Sequence, residues 1–270
     1  MPVRFNHTPR LVRLLLTLVL TLPLVLPVNF VLINPGEGNP LFPKLLNVQS
    51  TPESPVKTYP VDGQMYLLSI WVTNPETEIL GYQVLRCWAE KDCVVVPRSV
   101  VYQRETNDKA EIASGKKEMA KSQSTALLAT KELLAKYHSE IDLSEMTDAS
   151  IKLSLKNTGG PSGGLIFALG LTDLLTPENI LRGRKIAATG TISAQGKVGP
   201  IGGVEEKITA ARKTGTEIIF VSRKNCDEVP ETVQGVGVIA VSTLEEAYKI
   251  LINSQDSNFQ GVKGCTNLDS

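Results

Sequence analysis

GGPSGG (residues 159–164), ATGTISAQGKVGPIGG (residues 188–203) and VEEKITAARKTG (residues 204–215) form the stretch on which the reading of this chain turns. In its last part, Val204, Lys207, Ile208 and Ala211 recur at the i, i+3, i+4, i+7 spacing of one helix face. Glu205, Glu206, Thr209, Arg212 and Lys213 fall on the other faces. The spacing therefore predicts a lysine inside an apolar stripe. Burial disfavours the charged ammonium and lowers a lysine pKa. A lysine brought toward neutrality can accept a proton near pH 7. The same position also suits a lysine that snorkels to water from the edge of the stripe.

Ser162 stands just before LIFALGLTDLL (residues 165–175), a run apolar on nearly all sides that predicts a core helix. The N–H groups and positive dipole end of a helix start favour a developing oxyanion. Gly163 and Gly164, lacking side chains, would let a substrate carbonyl come close. An ordinary serine N-cap accounts for the same residue. Gly160-Pro161-Ser162-Gly163-Gly164 also fits G-x-S-x-G, the nucleophile elbow of α/β-hydrolases. That family places its histidine after the serine, whereas His7 and His138 both precede Ser162. A serine with a buried lysine fits the Ser-Lys variant of nucleophilic catalysis.

GGPSGGLIFALG around the serine, ATGTIS-x-x-GKVGPIGGVEEKI-x-AA around the lysine and RKNCDEV (residues 223–229) occur in this order, with Ser162 and Lys207 45 positions apart. Across roughly residues 63–251 the chain resembles the proteolytic domain of Lon-type serine proteases, and within them the membrane-anchored, Lon-like branch that lacks an ATPase. The resemblance implies an α+β fold, the α/β sandwich of the Lon proteolytic domain. It implies Ser162 as nucleophile, Lys207 as general base and the Ser162 N–H as an oxyanion donor. Thr189 matches a threonine that helps hold the lysine amine, and Thr191 is a second candidate, each also readable as a β-branched strand residue. Gly160, Pro161 and Gly163 frame the serine. The implied enzyme uses no ATP and no cofactor, cuts unfolded or flexible polypeptide, and assembles as a homo-oligomer. That branch usually carries a PDZ domain between the long helix and the strand before the serine. Residues 138–150 are too few to hold one.

The hydrophobic share is 42%, the charged share 21% and the formal net charge zero. Such a balance gives no basic face for nucleic acid, and 5% aromatic content gives no stacking platform for bases. The glycine-rich residues 190–203 lack G-x-x-x-x-G-K-[ST], so no nucleotide loop is expected. Cys87, Cys93, Cys226 and Cys265 show no C-x-x-C pair, so no zinc site is expected. Outside the cytoplasm, Cys87 could bridge Cys93 and Cys226 could bridge Cys265.

Residues 1–13 carry Arg4, Arg10 and Arg13 with no acid, and Leu14 to Ile33 carries no charge. Twenty helical residues span about 30 Å, so this run is expected to be an uncleaved, single-pass anchor in the cell membrane, with a cleaved signal peptide as the rival reading. The positive-inside rule places the N-terminus in the cytoplasm and the remainder outside. Residues 34–60 read as a Pro-rich tether, 61–253 as the proteolytic domain and 254–270 as a flexible tail. Strands are expected at 65–72, 79–88, 94–96, 151–155, 185–192, 217–221 and 237–241. Helices are expected at 119–137, at 165–175, from 204 to Gly215, and from a capping box at Ser242 to 251. His138 reads as an exposed residue beyond its helix. Two rival functions remain at this stage: a membrane-tethered binding module that keeps the fold without turnover, and a hydrolase pairing His138 with Ser162.

Overall fold

The computed structural model describes residues 9–49, 56–90, 92–102, 106–154, 159–254 and 264–265. Arg4 and His7, residues 50–55 of the expected tether, Leu155, and most of the expected tail lie outside the described residues. In chain order the elements are α1 (Arg10–Val25), β1 (Pro27–Val28), β2 (Phe30–Pro40), β3 (Leu46–Val48), β4 (Gln64–Val72), β5 (Ile79–Leu80), α2 (Gly81–Ala89), β6 (Val94–Pro97), α3 (Arg98–Val101) and α4 (Asp108–Tyr137). There follow β7 (Ile151–Leu153), α5 (Gly164–Leu175), β8 (Lys185–Ala188), β9 (Thr191–Ile192), β10 (Val198–Gly199), α6 (Val204–Thr214), β11 (Ile218–Ser222), β12 (Gly237–Val241) and α7 (Leu244–Asn253). Two compact units result, one of Met1–Asn34 with Val72–Asp108 and one of Pro35–Trp71 with Lys109–Ser270.

In the larger unit β12, β11, β8 and β4 lie side by side and parallel. Alternate strand residues face opposite ways. Met65 and Leu67, Ile186 and Ala188, Ile218 and Phe220, and Ile239 and Val241 join one apolar cluster with α4, α5 and α7. Leu68, Ala187, Ile219 and Val221 join the other with Val204, Ile208 and Ala211 of α6. Both faces are thus covered by helices, as parallel strands require. The fold is a mixed α and β layering, in keeping with the expected class. Fully burying a side chain such as Phe220 contributes about 1.5–3 kcal/mol.

α5 is buried at nearly every position, as its all-round apolarity predicts. α6 ends at Gly215 in the left-handed conformation, φ 70°, the C′ glycine expected there. The α7 cap lies one residue later than predicted: the Thr243 hydroxyl accepts from the Glu246 N–H at 3.1 Å, while the Ser242 N–H donates to the Glu246 carboxylate. The strand expected over 185–192 breaks at Thr189 and Gly190 into β8 and β9. That break puts a turn of chain beside Ser162.

The expected tether is corrected. The second half of β2 carries on to Pro40, and β3, Leu46 to Val48, pairs antiparallel with β7. Val48 and Leu46 are buried. The larger unit therefore takes in residues before 61. The prolines that suggest an extended tether also suit edge and bend positions of a sheet.

In the smaller unit, Phe30 to Ile33 of β2 pairs antiparallel with β6, and Val31 and Leu32 are buried. The helix expected over Leu14 to Ile33 therefore stops at Val25. Leu26, held extended at φ −80°, ψ 142°, precedes Pro27, and a residue before proline is disfavoured in the helical region. Among the described residues no helix is long and apolar enough to cross a membrane. The strand expected over 79–88 is also corrected: only Ile79 and Leu80 are extended, and α2 follows. Val84 and Cys87 point inward three positions apart, a helical rather than a two-residue period. The Gln83 side chain accepts from the Leu80 N–H at 2.7 Å and closes the helix start.

Both proposed cysteine pairs are closed, Cys87 to Cys93 and Cys226 to Cys265. Native, unreduced protein should take up no iodoacetamide, and reduced, unfolded protein should take up four equivalents, read by intact mass. Removing the Cys226–Cys265 bridge by paired Cys→Ser substitution should cost about 2–4 kcal/mol in urea unfolding.

Candidate active site

The site lies at the carboxyl end of β8, within the larger unit. Ser162 occupies a single 3-10 turn, Pro161 to Gly163, that runs into α5. Its backbone is tied to the end of β8. The Ser162 carbonyl accepts from the Gly190 N–H at 2.9 Å and from the Thr189 hydroxyl at 3.3 Å. The Gly190 carbonyl accepts in turn from the Leu165 N–H at 3.1 Å. The Pro161 carbonyl accepts from the Ser122 hydroxyl of α4 at 3.0 Å. Gly160 donates to the Gly115 carbonyl and holds φ 92°, a conformation that a side chain would strain.

The N-cap of α5 is Gly163, and no side chain caps that helix. The serine-cap reading of Ser162 is thereby set aside. The glycines after it serve packing more than substrate approach. A Cβ on Gly163 would come within 2.9 Å of Phe167 and Leu67, and one on Gly164 within 2.8 Å of Ile192.

Lys207 sits one turn into α6, where its N–H donates to the Gly203 carbonyl at 3.1 Å. Its residue surface is 3% exposed. Burial lowers its pKa from 10.5 to about 8, while the neighbouring Glu206 pulls the other way. The snorkelling alternative needs an amine at the surface, and the side chain is not there. Glu206, expected on a wet face, is also buried, and its pKa is raised by desolvation. Its carboxylate lies back toward Gly203, over the start of α6, where the helix dipole favours a negative charge. Periodicity missed it because the N-terminal turn of α6 is enclosed on more than one side.

Thr189 is buried at the end of β8, and its N–H donates to the Phe220 carbonyl at 2.9 Å. Its hydroxyl proton goes to Ser162, which leaves the oxygen lone pairs free by valence to accept from an amine. Thr191 is the β9 partner of Gly199 in the β9–β10 hairpin, with its hydroxyl over that glycine. The chain enters α6 through Gly203, left-handed at φ 69°.

His138 belongs to a different place. It is 5% exposed, with Nε2 2.9 Å from the Tyr248 hydroxyl and 3.2 Å from the Glu178 carboxylate. The expectation of an exposed helix end is corrected, since α7 and the turn after α5 close over it. Ser122, which touches Pro161, lies on the same helix sixteen positions earlier, about 24 Å along its axis. The pairing of His138 with Ser162 is ruled out by that separation. Among the described residues no group of three metal-ligating side chains occurs.

The family model of the Lon protease (S16) C-terminal proteolytic domain matches residues 106–254. Lon protease of Lachnoclostridium phytofermentans is 36% identical over 94 residues, which are 33% of this chain and 11% of that protein. Lon protease 2 of Bacillus subtilis is 36% identical over 95 residues, 35% of this chain and 17% of its own length. The mitochondrial Lon protease homolog of Drosophila melanogaster is 36% identical over 95 residues, 34% and 9% of the two chains. The chain thus spans only a small part, 11% and 17%, of the two bacterial relatives.

Between about pH 8 and 10.5 the unfolded lysine holds its proton and the folded one does not, so raising pH favours the fold. Below that window the cost of burying the charge is fully present, on the order of 3 kcal/mol. Lys207→Met should therefore unfold at higher urea than wild type at pH 7, and the difference should shrink as pH rises to 10.

Proposed function

We propose, because this chain belongs to the Lon protease (S16) C-terminal proteolytic domain family, that it is a serine endopeptidase working through a Ser162–Lys207 dyad. The observation that supports the reading is a lysine almost sealed from water, on a helix whose first residues abut Ile70 in the last part of β4, beside a strand, β8, to whose end the Ser162 turn is bonded.

In the forward step the neutral Lys207 amine takes the proton from the Ser162 hydroxyl as its oxygen attacks the scissile carbonyl. Thr189, through its oxygen, accepts from the amine and orients it. The oxyanion is met by the N–H of Ser162, at the start of a helical turn that has no intrahelical acceptors for its first N–H groups. The lysine ammonium then gives its proton to the leaving amine, and the peptide bond breaks. Water attacks the acyl-serine ester as Lys207 takes its proton, and Lys207 then gives that proton to the departing Ser162 oxygen, which releases the carboxylic acid and restores the serine and the neutral amine. This chemistry uses no ATP, so the substrate is a segment already unfolded or flexible.

We also infer attachment to a membrane through α1. None of its residues is buried, and Leu11, Leu14, Val19 and Leu20 are among its most exposed side chains. Sixteen residues reach about 24 Å, short of a full hydrocarbon core. Arg10 and Arg13 at its start suit anionic headgroups. Two closed disulfides suit a catalytic unit outside the cytoplasm.

Casein digestion by the full chain in mild detergent tests the dyad. Ser162→Ala and Lys207→Ala should each lower the rate by about 10³-fold or more. Wild-type rates in either variant would sink it. Alkaline carbonate washing of membranes tests the anchor: the chain should stay in the pellet, and a chain without residues 10–25 should be released.

A further inference from the structure

The motif RKNCDEV, residues 223–229, has no part in the chemistry derived so far. It folds as the 3-10 turn Arg223–Glu228 directly after β11. Asn225 in that turn is fully buried. Its side-chain oxygen accepts from the Ile201 N–H at 3.0 Å, and its amide nitrogen donates to the Ile201 carbonyl at 2.9 Å. The same nitrogen donates to the Glu228 carboxylate at 2.7 Å. One side chain thus grips both polar groups of a single residue in another part of the chain.

Ile201 is the last residue before Gly202 and Gly203. A Cβ on Gly202 would touch nothing within 4 Å, so no side-chain packing pins that residue, whereas Gly203 lies against Ile70. Glycine pairs lose the most conformational freedom on ordering and regain it most readily. Gly203 is the N-cap of α6, and its carbonyl receives the Lys207 N–H. The path from the Asn225 amide to the Lys207 backbone therefore runs through Ile201, two glycines and one helical hydrogen bond. Without the grip on Ile201, the two glycines would let the first turn of α6 shift and admit water to the lysine. The Cys226–Cys265 bridge holds the turn that carries Asn225 from its next residue.

We propose, resting on the dyad reading, that Asn225 is a positioning residue that holds the start of α6 so that Lys207 stays dry and aimed at Ser162. It touches neither substrate nor reacting atoms and acts through Ile201 and Gly203. The titratable groups around that first turn are Glu205 and Glu206 on α6, Glu228 from the 3-10 turn and, from β4, Tyr66. None of the four is removed by substitution at Asn225. A hydrated Lys207 would return toward its ordinary pKa and stay protonated at neutral pH, so activity would be recovered only at higher pH.

The experiment is a pH profile of kcat and of kcat/KM between pH 6 and 10.5 for the full chain on an unstructured fluorogenic peptide. Asn225→Ala and the uncharged Asn225→Ser are compared with wild type. The expected result is a fall in kcat of about tenfold or more at pH 7, KM within about twofold, and an acid limb moved upward by one pH unit or more. Activity near wild type should return above pH 10. A folded variant whose rate is lower by one factor at every pH, with the limb unmoved, overturns the proposal, because loss of properly folded enzyme scales all points alike. Failure of both variants to fold, by circular dichroism and elution volume, also overturns it, since the side chain would then serve the fold and not the base. Lys207→Ala is run beside them. If it stays active the dyad reading fails, whereas an inactive Lys207→Ala with an unmoved limb in Asn225→Ser sinks only the role of Asn225.

Discussion

Three hydrogen bonds between the Ser162 turn and the end of β8 are the constraint on which the rest of this site depends. Gly190 and Thr189 donate to the Ser162 carbonyl, and Leu165 donates to Gly190. Because β8 is an inner strand between β11 and β4, its end cannot move without disturbing both neighbours. The Ser162 turn bonded there inherits the rigidity of the parallel sheet. The turn is short of side chains by necessity, since Phe167, Leu67 and Ile192 fill the space that larger residues would need.

On the opposite face of the same sheet, α6 carries the lysine. α5 and α6 thus belong to two different apolar layers on opposite faces of the sheet. Burying the Lys207 amine costs stability below its lowered pKa, and the apolar layer that Val204, Ile208 and Ala211 of the same helix form with Leu68, Ala187, Ile219 and Val221 offsets that cost. A protein that only needed to fold would gain from a methionine at this position. The retained cost makes sense where a neutral amine is required for proton transfer.

Long, uniformly patterned elements were legible from the residues alone. α5 is apolar on all sides and β11 is a continuous apolar run, so burial on every side could be read from the letters. The stripe on α6 located Lys207 for the same reason. Short or mixed segments were not legible. α2 places apolar residues both inward and outward, which blurs a helical period into a strand-like run. Residues 34–60 carry prolines and glycines that suggest a tether, and only pairing with strands distant in sequence makes 34–40 and 46–48 part of the sheets. Asn225 lies in the quoted RKNCDEV motif, but nothing local told its role, because its partner Ile201 is brought near by the β11 crossover.

By itself, then, the order of residues determined the family and marked Ser162 and Lys207 as candidates, since motif spacing and helical periodicity are properties of neighbouring positions. Only the tertiary structure decided what surrounds them. It ended the N-terminal helix at Val25, enclosed Glu206, drew His138 into contact with Tyr248 and Glu178, and joined Asn225 to the loop before α6. The physical reason is that burial and hydrogen-bond partnership depend on which distant segments pack together, and one-dimensional periodicity carries no record of that.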